Sequence, residues 1–138
     1  MKRAKLIEEE VTRIIVQSTM TMPEEDALDE LVTHHACHTA DKLGCHFYIP
    51  RDGEILTPVQ PYERGNWEAR YGSTSIFVVI EGGMSDDGEI ANNYMAGQLC
   101  WLKSIVKNLK KMYPKAELTL YHELFKGINP VLTKEQIT

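Results

Sequence analysis

The sequence predicts a single α/β domain over residues 1–138, built on a mixed central β-sheet flanked by helices. Three observations carry that prediction. The apolar residues change period along the chain in the order β-α-β-β-β-α-β, the pattern of a sheet with covering helices. No internal repeat or low-complexity linker divides the chain. At 138 residues, with 43% hydrophobic and 25% charged residues, the composition is that of one ordinary globular domain, able to bury roughly two-thirds of its unfolded surface.

Ile14, Ile15 and Val16 form the short continuous apolar run of a buried strand, which ends near Gln17. Thr21 stands three residues before Glu24, a capping-box spacing, with Pro23 in the opening turn. Ala27, Leu28, Leu31, Val32 and His35 then repeat at helical spacing and predict a first amphipathic helix. "CHFYIPRDGEILTPV" reads as two short strands around Arg51-Asp52-Gly53, with Pro50 and Pro58 implying an edge or irregular pairing. Ser73 to Gly83, "STSIFVVIEGG", is apolar on both faces and is expected to be central. After a loop, Leu99, Leu102, Val106, Leu109 and Tyr113 mark a long helix that gathers lysines toward its end and stops at Pro114. "AELTLYHEL" alternates with period two and is the last strand; no element is assigned beyond it.

The formal net charge of -5 argues against a general binder of phosphate backbones, so no nucleic-acid partner is expected. "MKRAKLIEEEVTR" lacks the apolar core of a signal peptide, and no run reaches the roughly 20 apolar residues of a membrane span. Cys37, Cys45 and Cys100 are odd in number and widely spaced, which fits reduced thiols and a cytoplasmic location.

From Gly44 to Pro130 the segments "GCHFYIPRDGEI", "GNWEARYGSTSIFVVIEGG" and "LYHELFKGINP" resemble the zinc N-acetylmuramoyl-L-alanine amidases, the superfamily that includes peptidoglycan recognition proteins, and most of all its small phage lysozyme branch. The resemblance implies an amidase/PGRP-like fold and a zinc ion held by two histidines and a cysteine or aspartate, its open position activating water against an amide. Carried over residue by residue, the first histidine falls on Gln17, the second on His122 and the third ligand on Asn129. The assisting tyrosine falls on Cys45 and a further histidine on Trp67. Gly127 stands in register with the assisting lysine, with Lys126 one residue early.

Neutral amide oxygens suit hard cations, whereas zinc prefers imidazole, thiolate or carboxylate. The expectation is therefore that the chain is not an enzyme: no catalytic residue, no metal, no cofactor, and a former active-site groove that binds a small molecule. Gln17, Cys45, Trp67, Arg70, Tyr71, His122, Lys126 and Asn129 are its expected lining. Trp67 stacking on a flat ring and Arg70 gripping a phosphate would suit a nucleotide, such as a host signalling nucleotide sequestered by a phage protein in the infected cell. Loop packing with a solvated arginine is the equally weighted alternative.

A muropeptide ligand, residual amidase activity, or inhibition of a partner such as an RNA polymerase are the other readings, and self-association into a homo-oligomer is left open. His34 and His38, at i and i+4, have the spacing of a helical metal pair but lack a third ligand, so solvated histidines are favoured. His46 and Cys45 are each read first as packing residues, with Cys45 as a nucleophile beside His122 the minor alternative.

Overall fold

The computed structural model describes residues 3–34, 42–52, 54–125, 127 and 131–138, apart from the side chains of 32–34. Four strands form one sheet in the order β2-β3-β1-β4, with β1 at Arg13–Ser18, β2 at Phe47–Ile49, β3 at Ser75–Ile80 and β4 at Glu117–Leu120. All three pairings are parallel. A parallel sheet needs cover on both faces, and β3 is accordingly buried along its whole length. The α/β fold class is borne out, with β3 and β1 as the inner strands. Antiparallel pairing among the described residues is confined to isolated bridges such as Tyr48 with Leu56.

Side chains alternate across the sheet and so feed two cores. Ile14, Val16, Ile76, Val78 and Ile80 face Leu102, Ile105, Val106 and Leu109 of α2, which spans Ala96–Met112. Ile15, Phe77 and Val79 point the other way, packing with Leu43, Cys45 and Tyr48, against which Leu28 and Leu31 of α1 (Ala27–His34) rest. The long helix ends as its sequence predicts: Tyr113 donates its N–H to the Leu109 carbonyl at 2.8 Å, and Pro114 follows. Among the described residues, no helix is long and apolar enough to cross a membrane.

Four expectations are corrected. Thr21 does not cap α1; it is buried in a parallel bridge to Gly83, and Asp26 caps instead, its Oδ1 accepting the Asp29 N–H at 3.0 Å. The second strand of the Arg51 hairpin shrinks to a single bridge, in which Tyr48 and Leu56 exchange both backbone bonds (2.9 and 3.0 Å); Pro50 and Pro58 have no N–H with which to extend it. β4 ends at Leu120, and Tyr121–Glu123 form a 3-10 turn, with the Glu123 carboxylate accepting the Leu120 N–H at 2.8 Å.

A last short helix, α3 at Lys134–Ile137, was not assigned. Four residues are too few to show a period, but its Ile137 is fully buried beside Leu132 in the α2 core. Reciprocal amide bonds between Asn92 and Gln136, at 2.7 and 2.9 Å, pin it to the loop before α2. Of the first helix, Val32 and the histidines His34, His35 and His38 lie outside the described side chains.

Candidate functional site

In an open parallel sheet, ligands bind beyond the carboxyl ends of the strands. Here the register decides what gathers there. β4 pairs with β1 up to Val16 opposite Leu120, so the turn that follows places Tyr121 and His122 beside the outgoing residues Gln17 to Met20. Together with Val131 and Leu132 these line a cavity of about 130 Å³. A second cavity of about 510 Å³ adjoins it, lined by Gln17, Thr19, Thr21 and Tyr121 and walled by Glu30 of α1, Trp67 and Glu68. Gln17, Thr19 and Tyr121 border both, which makes one cleft with two halves.

Gln17 and Trp67 are joined directly: the indole Nε1–H donates to Gln17 Oε1 at 2.6 Å. Trp67 is held in place from its backbone. The Gly44 carbonyl accepts the N–H groups of Asn66 (3.1 Å) and Trp67 (3.2 Å), and a Cβ on Gly44 would lie 2.7 Å from the Trp67 nitrogen. Only glycine admits that approach. The acidic wall is felt locally, since burial first and the Glu68 carboxylate second push the Tyr121 phenol above its ordinary range.

The cleft therefore brings together three of the expected residues, Gln17, Trp67 and His122. Cys45 is placed elsewhere: it is fully buried in the core beneath the sheet, with Leu43 and Tyr48, which accords with packing and removes it from His122's cleft. Arg70 points away too. It is two-thirds exposed, pairs with Glu68 at 3.4 Å and lies 4.8 Å over the Phe125 ring. Tyr71 packs edge-on against Phe125 and under Arg13. Lys126 and Asn129 lie outside the described residues. No lysine or arginine lines either half of the cleft among the described residues, so the Trp67/Arg70 grip on a phosphate does not form. Glu30, Glu68, Thr19 and Tyr121 were missed; the step of two from Gln17 to Thr19 and Thr21 was the available signal, since it continues one face of β1.

His46 is structural, as expected. Its Nδ1 accepts the Phe77 N–H at 3.0 Å, so Nε2 carries the proton and donates to the Glu63 carbonyl at 2.8 Å. Burial is the main cause that lowers its pKa to about 4.

The zinc implied by the resemblance fits this donor set poorly. Among the described residues no three His, Cys, Asp or Glu side chains are grouped to hold a metal ion. The oxygen that Gln17 could offer is already bonded to an indole. One imidazole beside that amide is not a zinc site.

No family model matches the chain. The chain is 29% identical to the endolysin of Escherichia phage T7 over 126 residues, covering 90% of this chain and 83% of that one. With the endolysin of Enterobacteria phage K11 it shares 30% over 82 residues, 59% of this chain and only 54% of the relative. Among solved structures, the Ph2119 endolysin of a Thermus scotoductus bacteriophage superposes with a TM-score of 0.69 at 20% identity, over 99% of this chain and 89% of that one. The N-acetylmuramoyl-L-alanine amidase LysC of Clostridium intestinale does so at 0.67 and 18%, over 99% and 90%. Bumblebee PGRP-SA gives 0.66 and 14%, over 97% and 84%. The chain has the fold of the N-acetylmuramoyl-L-alanine amidases and PGRPs, and its sequence relatives are phage endolysins. It is an amidase-fold, endolysin-like protein.

The same matches correct the expectation that the chain is not an enzyme, for all four matching curated relatives are named endolysin. That expectation rested on two substituted ligand positions, Gln17 and Asn129. A donor set that fits zinc poorly describes the coordination at one point of the amidase cleft and does not decide activity.

Proposed function

We propose that this chain acts on peptidoglycan as an endolysin-type protein, with the muropeptide lying across the two halves of the cleft. The observation that carries this reading is that Gln17, Thr19 and Tyr121 border both halves, which joins them into one cleft at the carboxyl edge of the sheet. The endolysin names of the relatives support peptidoglycan as the target, and LysC's name specifies the amide between N-acetylmuramic acid and L-alanine. Within the cleft, Trp67 offers a flat wall to a sugar or a peptide plane. Thr21 and Gln17 offer hydrogen bonds, Glu30 and Glu68 an acidic wall for the ammonium of a diamino acid, and His122 an imidazole ring able to hydrogen-bond.

Co-sedimentation with purified sacculi, followed by analysis of solubilised peptides, tests the proposal. The wild-type chain is expected to pellet with sacculi and to release stem peptides. Trp67→Ala is expected to weaken binding at least about tenfold, the loss usual for a buried aromatic anchor. A wild-type chain that stays in the supernatant would refute the reading.

A further inference from the structure

Resting on the reading just given, we propose that Gln17 is the specificity-determining donor of the cleft: its carboxamide NH2 receives a carbonyl oxygen of the muropeptide, and no cation takes part in that contact.

The oxygen and nitrogen of a glutamine side chain are assigned from their partners, because their shapes are nearly identical. Indole Nε1–H can only donate. The atom 2.6 Å from it must therefore be the oxygen, and the orientation of the amide is settled by its neighbour. The NH2 group is thereby turned away from Trp67. Among the described residues no protein acceptor is bonded to it, and Gln17 borders both halves of the cleft.

The neighbours sharpen the assignment. Thr19, the next residue on the same face, is already engaged: its Oγ1 accepts the Gly82 N–H at 3.0 Å and lies 2.7 Å from Thr21 Oγ1. Gln17 is thus a donor between the two halves of the cleft that is fixed in direction and, among the described residues, uncommitted. A donor pair held in advance costs a ligand little ordering on binding. Its natural complement is a peptide carbonyl, of which a stem peptide carries one per residue. An NH2 group offers hydrogens and cannot coordinate a cation, so a contact made through it is independent of metal.

The test is calorimetric titration with the soluble muropeptide N-acetylmuramoyl-L-alanyl-D-isoglutamine, in buffer with and without EDTA. Gln17→Glu keeps an oxygen for Trp67 but removes the NH2. It is expected to unfold at the wild-type temperature and to bind at least about tenfold more weakly. Trp67→Phe keeps a ring but frees the amide to rotate, and is expected to weaken binding by a smaller factor. Wild-type affinity is expected to be the same with and without EDTA. If wild type binds and Gln17→Glu binds within twofold of it, the donor role is overturned while the cleft reading stands. Wild-type binding that is lost in EDTA and restored by zinc also overturns it, since a cation would then be meeting the carbonyl. If wild type does not bind the muropeptide at all, both readings fall together.

Discussion

Replacing Gln98 with alanine is expected to lower the unfolding free energy by about 3–5 kcal/mol, because one buried amide here satisfies three backbone groups. Gln98 stands at the start of α2 and is 3% exposed. Its Oε1 accepts the Met95 N–H at 2.9 Å, and its Nε2 donates to the carbonyls of Ile49 at 3.2 Å and Glu81 at 2.9 Å. Those carbonyls close β2 and follow β3, so the side chain ties the helix to the edge of the sheet from which the cleft opens. Alanine leaves a cavity and takes away the donor of the Glu81 carbonyl, while the Ile49 carbonyl keeps the Glu81 N–H at 3.0 Å. Water can reach the exposed residues Ala96 and Gly97 and will recover part of the loss at Met95. For a chain of 138 residues the loss corresponds to a fall in Tm on the order of 10–15 °C. Thermal unfolding followed by circular dichroism checks it, and a fall below about 3 °C would show that the three bonds do not act as a clamp.

Acid is expected to cost this fold about 3 kcal/mol through His46 alone. Its folded pKa is lowered to about 4, against an ordinary value near 6.5 in the unfolded chain. The unfolded state therefore binds the extra proton first. Stability is fully present above about pH 6.5, falls as the pH drops from there to about 4, and loses nothing further from this residue below that. The structural reason is specific: a proton on Nδ1 would displace the Phe77 N–H that this nitrogen accepts, inside a site closed to water. Urea unfolding at a series of pH values measures the slope. His46→Phe is expected to be less stable throughout, having lost both backbone bonds, but flat between pH 5.5 and 6.5, where carboxylates contribute little. A variant with the wild-type slope would assign the acid sensitivity to other groups.

How much of this could be read in advance follows from the kind of signal each part leaves. β3 and α2 were legible because burial on two faces, or on one helical stripe, marks six or more residues, and β1 because its buried Ile14, Ile15 and Val16 form an unbroken apolar run. α3 is too short to print one, and the cap of α1 was misplaced because Thr21 and Asp26 are both good capping residues. Only the bridge from Thr21 to Gly83, a contact between distant parts of the chain, decides between them. In the cleft, Gln17 and His122 were found by resemblance to a family with metal ligands at those positions, and Trp67 because a further histidine of that family falls on it. Arg70 and Tyr71 were drawn in by proximity in sequence, yet the turn after Trp67 sends them toward Phe125. Glu30 could not be placed, since its role depends on how α1 sits over the sheet. The inference from lost ligands to lost activity failed for a related reason: it treated one point of the cleft as the whole of it.

The two tryptophans offer the most direct test of the central claim, that the cleft at Gln17 and Trp67 receives the muropeptide. Trp67 lines it, whereas Trp101 is 59% exposed on α2, beside a different cavity. Their indole N–H signals in a nitrogen–proton correlation spectrum can be followed as N-acetylmuramoyl-L-alanyl-D-isoglutamine is added. The Trp67 signal and the Gln17 side-chain amide signals are expected to shift together and saturate, while the Trp101 signal stays in place. Saturating shifts at Trp101 with Trp67 and Gln17 unmoved would contradict that claim.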